Sequence, residues 1–322
     1  MEPTMAEHDA GRLGPTAWLK RNGVFVALAV LVVVMAGVAP QFATIENLTN
    51  VLQQNAIIGV IACGMTFAII IGGFDLSVGS TAALSSVVAA LVITATGSIP
   101  LGLFAAIVAG LVVGLVNGVL IAFLRINPFV ATLGTMTMIR GIVFVSTNAT
   151  PIFGVPFGFT ALGLGKTMGV PNLVIVFAVV AAILGFLLHQ TRFGHHVYMV
   201  GGNARAAAVM GIRTARLRFW SYLIVAVCAA IAGILLVGQT ASGQPQAAMG
   251  YELTAIAAVI VGGATLGGGK GRMLGTIAGV FLLGVVSNSL NLLGVSPFWQ
   301  PVATGLILVV AVGLDRVRDD AA

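Results

Sequence analysis

Charge is what this 322-residue chain has least of: Asp, Glu, Lys and Arg together make up 7% of it, against 59% hydrophobic residues. With a mean hydropathy of +1.10, that shortage excludes an ordinary soluble domain, whose charged share is about a quarter. Cysteine is almost missing too. Cys63 and Cys228 fall in separate apolar runs, so neither a disulfide framework nor a thiolate metal site is indicated. Histidine is confined to His8 in the N-terminal tail, His189 at a helix end, and His195 and His196 in a basic loop. An intramembrane proton relay has almost nothing to build on, and no Ser, His, Asp or Cys arrangement suggests a hydrolase. No catalytic residue, metal ligand or cofactor site is predicted. Residues 1 to 22 carry mixed charge without the three-part pattern of a cleaved signal, so the first apolar run is expected to be retained.

What is there is a series of apolar runs of membrane-crossing length. They lie at about 23 to 40, 51 to 71, 79 to 97, 100 to 124, 128 to 147, 171 to 189, 219 to 239, 252 to 268, 273 to 293 and 298 to 314. This predicts an all-α polytopic membrane protein of about ten spans. The runs at 79 to 97, rich in Ser and Thr, and 252 to 268, short and ending in glycines, are the weakest. A single membrane domain over 23 to 315 would be flanked by tails at 1 to 22 and 316 to 322.

The basic residues orient this scheme, since short Lys/Arg-rich loops stay in the cytoplasm. With the N-terminus inside, the cytoplasmic segments hold Arg12, Lys20, Arg21, Arg125, Arg192, Arg205, Arg213, Arg216, Arg218, Lys270, Arg272, Arg316 and Arg318. That is thirteen of fifteen; Lys166 falls in an external loop and Arg140 inside a span. Both termini are therefore expected in the cytoplasm, and orientation accounts for the net charge of +6. Nucleic-acid binding, the other usual reading of a high pI, loses its support.

The longest basic interruption, Thr191 to Leu217, contains no acid. Within the loop at 190 to 218, Asn203 is a good N-cap and Gly211 a good terminator for an alanine-rich helix. Such a helix lies on the membrane, where Asn203, Ala204, Arg205, Ala207, Met210 and Gly211 form a docking device. Its small side chains allow close packing, and Ala207 is where a bulky charge would be expected to block it.

Two tetrads suggest an internal repeat. Phe74, Asp75, Leu76, Ser77 opens the third span and Tyr251, Glu252, Leu253, Thr254 the eighth; downstream, Asn117 matches Asn288 and Pro128–Phe129 matches Pro297–Phe298. Spans 2 to 5 thus look like a copy of spans 7 to 10. Five spans separate the copies, so the halves would face opposite ways, as in transporters with the pathway at the repeat interface. Asp75, with Ser77, and Glu252, with Thr254, are read as helix caps, the first near the cytoplasmic face and the second near the external one. The other reading is contact with substrate.

The glycine-rich Gly262 to Arg272 is not a phosphate loop, because Ala264 and Gly271 stand where a glycine and a hydroxyl are needed. It reads as a tight cytoplasmic turn. Arg140 lies about 18 Å along its span from Pro128 and needs a partner, either Glu252 or carbonyls across the repeat interface, unless it lines the pathway. Asn55, Asn117, Thr135, Asn288 and Asn291 are the polar candidates, each an interhelical hydrogen bond or a substrate ligand.

At these residues a family becomes recognisable. Gly72 to Ser80 (GGFDLSVGS), Gly201 to Ile212 (GGNARAAAVMGI) and Tyr251 to Arg272 (YELTAIAAVIVGGATLGGGKGR) together resemble the membrane permeases of ribose-type monosaccharide ABC importers, more distantly the branched-chain amino-acid permeases. The resemblance runs from about residue 20 to the C-terminus and departs at Phe74, where Ile or Val is frequent. It implies a permease paired with a second copy or a sister chain in the inner membrane, a cytoplasmic ATPase, and a periplasmic sugar-binding protein that selects the ligand. The helix from Asn203 to Met210 would be the coupling helix seated on the ATPase. An ion-coupled secondary transporter is the alternative, and co-purification with an ATPase separates the two.

Overall fold

The computed structural model describes residues 15–319. His8, Arg12 and the rest of residues 1–14 and 320–322, with the outer parts of both predicted tails, lie outside the described residues. The elements run α1 (Pro15–Val38), α2 (Ile45–Ile70), α3 (Val78–Thr96), α4 (Ile99–Ala122), α5 (Pro128–Thr147), α6 (Phe157–Leu164), β1 (Lys166–Thr167), β2 (Val170–Pro171), α7 (Asn172–Gln190), α8 (Arg192–Gly202), α9 (Ala204–Val209), α10 (Thr214–Thr240), α11 (Tyr251–Val261), α12 (Met273–Leu292) and α13 (Trp299–Asp319). Several helix starts follow from local chemistry. Thr44, Ser98, Asn127 and Thr191 each accept a backbone N–H of the helix they open, and Pro128 begins α5 where its missing N–H costs nothing.

Helices α2 and α10 run through the middle of the bundle, and α10 packs on α2, α3 and α4. Lipid tails are as apolar as leucine, so close packing of small residues supplies the attraction. Gly110 and Gly114 sit against Ala230 and Ala226, Gly64 against Cys228, and Gly233 against Ala82 and Ser85. A side chain at any of these glycines would push the helices apart. Cys63 and Cys228 are free and buried at the α2–α10 crossing.

Among the described residues seven helices, not ten, are long and apolar enough to cross a bilayer: α2, α3, α4, α5, α7, α10 and α12. The other three apolar runs form shorter apolar helices, Asn22–Val38, Tyr251–Val261 and Trp299–Val310. In α1 the non-helical backbone at Asn22 cuts the stretch short. In the predicted eighth span the helix stops at Val261, because Gly263 takes φ +92° and the N–H groups of Gly263 and Ala264 turn back onto the Ile260 and Val259 carbonyls, a conformation glycine adopts without penalty; Gly268, Gly269 and Gly271, also at positive φ, keep the chain turning. The resulting turn is clamped, with Gly269 N donating to the Ile70 carbonyl at 2.8 Å.

The packing has a repeated pattern: α3 packs on α4 and α5 as α11 packs on α12 and α13, and α10 packs on α3 and α4 as α2 packs on α11 and α12. Two elements had no counterpart in the expected spans. Between α5 and α7 stand α6 and the hairpin β1–β2, whose turn residues Met168 and Gly169 both have positive φ, as a two-residue hairpin turn requires. Lys166 is exposed on that hairpin.

Candidate functional site

The most unusual stretch is the non-helical run 241–250 that leads into α11. Eleven helical residues extend only about 16 Å, roughly half the hydrocarbon thickness of a bilayer. The preceding run descends along α3: Gly243 exchanges backbone hydrogen bonds with Ile152, and Gln244 N donates to Ser86 Oγ at 3.3 Å. Irregular backbone at such depth must have its polar groups satisfied from within the protein. Arg140 does part of this, its Nη1 donating to the carbonyls of Pro245 (2.8 Å) and Ala247 (3.0 Å). Its hydrogen-bond partners are thus carbonyls, and the Glu252 carboxylate acts on it through space.

The start of α11 opens onto a cavity of about 580 Å³ between α2, α11, α12 and α13. Gln54, Asn55, Gln239, Thr254, Ser287, Gln300 and Thr304 supply its polar wall. No Asp, Glu, Lys or Arg lines it. The set offers paired donors and acceptors with no formal charge, which suits a neutral, hydroxyl-rich molecule. Of the polar residues singled out from sequence, Asn55 and Thr254 are here. Gln54, Gln239, Ser287, Gln300 and Thr304 were missed, although Gln53, Gln54 and Asn55 form a polar run inside a predicted span.

The remaining polar candidates are engaged elsewhere. Thr135 donates to Thr132 O in its own helix. Asn288 and Asn47 form a reciprocal pair (3.1 and 2.8 Å) that ties α12 to α2, and Asn291 accepts from Gln300 at 2.9 Å. Asn117 is fully buried and donates to Asp75 Oδ2 (3.2 Å) and Ser77 Oγ (2.9 Å). The two asparagines matched in the repeat therefore do different work.

The two acidic tetrads also differ from expectation. Asp75 lies three residues before the first helical residue of α3 and binds Ser77, accepting from its backbone N (2.7 Å) and its Oγ (2.6 Å). The N-cap is Ser77, whose side chain makes no cap bond. Glu252 is already inside α11 and accepts from Gly250 N at 3.2 Å, while Thr254 donates to the Gly250 carbonyl. Nor do the two lie at opposite faces. Gly79, at the start of α3, abuts the Glu252 carboxylate and the Ala248 carbonyl so closely that a Cβ there would collide with both. The re-entrant run 241–250 carries the start of α11 down to the start of α3.

At the basic end, the predicted docking helix is α9. Asn203 caps it, accepting from Arg205 N (3.1 Å) and Ala206 N (2.9 Å), and Gly211 follows with φ +82°. It is the second of two consecutive short helices, since α8 precedes it. Ala204 is half-buried. Ala207 is 1% exposed and faces the protein, so it is not a docking residue; Val209 (88%) and Met210 (60%) face outward, with Arg205 exposed beside them. Tyr198 of α8 donates to the Gly271 carbonyl at 2.7 Å. Burial pushes that phenol up to about 12, so it stays a donor at neutral pH. His189 Nε2 accepts from Met273 N at 3.2 Å. The pair α8–α9 is thereby fastened to the glycine turn joining α11 and α12, both of which wall the cavity.

Comparison with known proteins matches residues 47–312 to the family described as branched-chain amino acid transport system / permease component. The chain belongs to this permease family. The permease is 40% identical over 309 residues to the ribose import permease protein RbsC of Escherichia coli (strain K12), covering 94% of this chain and 95% of that one. It is 42% identical over 302 residues to the Bacillus subtilis (strain 168) ribose import permease protein RbsC, with 93% and 94% covered. Against the L-arabinose transport system permease protein AraH of E. coli (strain K12) it is 38% identical over 299 residues, with 93% and 91% covered. No solved structure gives a significant match. An integral membrane transporter rather than an enzyme is the reading these relatives and the seven apolar helices agree on.

Proposed function

We propose that the permease is the membrane subunit of an ATP-driven importer for ribose or a related monosaccharide, working in the inner (plasma) membrane. The observation that carries the sugar reading is the charge-free polar wall of the 580 Å³ cavity. A zwitterionic amino acid, the cargo in the family's description, brings two charges that such a wall cannot pair. A monosaccharide brings hydroxyls that Gln, Asn, Ser and Thr satisfy. Ribose and arabinose in the names of the relatives support the same class.

In this reading the single membrane domain covers 23–315, and both termini and the coupling loop 190–218 face the cytoplasm. The helices pass ten times, with α11 a half-span completed by the run 241–250. The repeated packing of α2–α5 and α10–α13 supports an inverted repeat with the cavity beside its interface. A separate ATPase would dock on Val209, Met210 and Arg205. Its motion would reach the cavity through Tyr198 and the glycine turn, and Arg140 and Glu252 would hold the re-entrant run in place. A second copy or a sister permease would complete the membrane unit, and a sugar-binding protein would deliver the cargo. None of these roles calls for a cofactor in this chain.

Uptake tests this directly. Produced with the ATPase and binding protein of the E. coli ribose system in a host lacking its own ribose permease, the chain should restore ATP-dependent uptake of labelled ribose or a close relative and leave leucine uptake unchanged. Leucine uptake, or sugar uptake that follows an ion gradient after ATP is depleted, would overturn the assignment. Val209→Glu should abolish ATPase co-purification with the folded chain intact, whereas Ala207→Glu should lower the amount of folded chain.

A further inference from the structure

A second cavity, of about 400 Å³, opens at the basic end between the α4–α5 connection, the start of α10 and the backbone of Gly72 and Gly73. Nothing in the proposed transport path uses it. Its wall carries two guanidinium groups, Arg125 and Arg218, with Asn127 and Thr214 at the starts of α5 and α10, and no carboxylate. Among the described residues neither arginine side chain makes a hydrogen bond or ion pair. Asp75, whose charge reaches Tyr222 on the cavity wall, is buried and held by Ser77 and Asn117. The cavity therefore carries an excess of positive charge, two guanidinium groups against the one buried carboxylate behind its wall.

Two further observations say what fits it. Arg125 has φ +57°, in the left-handed region where a helix-ending connection ordinarily takes glycine. The backbone gains nothing from a side chain there, so glycine can replace Arg125 and remove its charge without strain. At the rim, Phe123 is 53% exposed and packs on Phe219 (5.7 Å between ring centres), which in turn packs edge-on with Trp220, itself 52% exposed. An exposed aromatic group beside unpaired arginines at one end of a bundle of membrane-length helices is the arrangement expected at the lipid headgroup level.

We propose that this cavity is a binding site for the phosphate of an anionic phospholipid, with Arg125 and Arg218 holding the headgroup and the Phe123–Phe219–Trp220 group meeting the upper acyl chains. The assignment is independent of which molecule is transported. Because loop 71–77 forms part of the same wall and leads into α3, a bound lipid would brace the connection between α2 and α3.

The test uses the full-length chain, purified and stripped of lipid, with phosphatidylglycerol, phosphatidylcholine and inorganic phosphate as probes, read by native mass spectrometry and thermal melting. Phosphatidylglycerol should bind and raise the melting temperature, phosphatidylcholine should bind more weakly, and phosphate should do neither. Arg125→Gly relieves the left-handed backbone while removing the charge. It should melt no lower than the parent without lipid yet bind phosphatidylglycerol about fivefold more weakly, and addition of Arg218→Gln should bring the loss to about thirtyfold. If the double variant fails to fold, Arg125→Gly alone decides. Unchanged phosphatidylglycerol binding in Arg125→Gly overturns the proposal. So does equal stabilisation by inorganic phosphate, which would mark a soluble-anion site, or loss of ATPase association with lipid binding intact, which would mark a protein contact.

Discussion

The starts of α3 and α11 touch, carry related tetrads, and have opposite characters. At α3 the acid is sealed in: Asp75, Ser77 and Asn117 are all at most 1% exposed and bind one another. At α11 the acid is half-exposed, binds a single backbone N–H, and sits beside the neutral polar cavity. Similar local sequence has thus produced a fixed post and an open lip. The difference arises from what precedes each helix. A short connection, 71–77, keeps Asp75 within reach of α4, whereas the longer run 241–250 leaves room for a cavity.

The largest effect should come from breaking the sealed side. Asp75→Ala strips acceptors from Ser77 and Asn117 at full burial and should cost about 2 to 4 kcal/mol. Glu252→Ala, losing one partly exposed bond, should cost about 0.5 to 1 kcal/mol. Thermal melting of the two purified variants measures the contrast, and equal losses would mean that the two starts are equivalent after all. Next is Arg140→Ala, which leaves the Pro245 and Ala247 carbonyls unpaired and should cost about 2 to 3 kcal/mol. A chain of parental stability that no longer transports would place Arg140 in the pathway instead.

Smaller changes should separate the lip from the post by function. Gln54→Ala and Thr304→Ala should each leave the melting temperature within a degree or two yet reduce sugar uptake about three- to tenfold, the worth of one hydrogen bond to cargo. Uptake at the parental rate in both would remove the cavity from the path. Tyr198→Phe is expected to be the mildest, at about 1 kcal/mol, and its pH behaviour has a definite sign. Burial raises this phenol to about 12, from an ordinary value near 10. The protonated form is therefore favoured in the fold, and its contribution is constant below about pH 10 and declines only as pH rises toward 12. A difference between parent and variant that changed between pH 6 and 9 would contradict that.

The sequence made the apolar runs plain because a span needs some twenty residues of low polarity, and each predicted run does hold an apolar helix. It also identified Asn203 and Gly211 correctly as the ends of a short helix, since caps are local. The length of α11 was hidden. Its apolar composition continues past Val261, and the positive φ of Gly263 ends the helix, while the turn that follows is held by Gly269 on the Ile70 carbonyl. The run 241–250 reads as an ordinary loop, because nothing local reveals that Arg140 and Ser86 will draw it inward. Burial of Ala207 was missed although the pattern carries it: Arg205 and Val209, four residues apart, share one face of the six-residue helix and leave Ala207 on the opposite, covered side. The cavity wall was hidden, being drawn from four separated helices.

The lengths of the two central helices have a consequence for the membrane itself. At 26 and 27 residues, α2 and α10 extend about 39 to 41 Å, so that their polar ends, Glu46 and Asn47 on one and Arg216 and Arg218 on the other, reach past a hydrocarbon layer of about 30 Å that their apolar stretches match. An isolated helix of that length answers hydrophobic mismatch by tilting as the bilayer thins. These two are locked across each other at Gly64 and Cys228, so their tilt is fixed by protein and the bilayer has to adapt to them. Thinning the membrane should then load the peripheral helices α5 and α7 while leaving the central crossing unchanged.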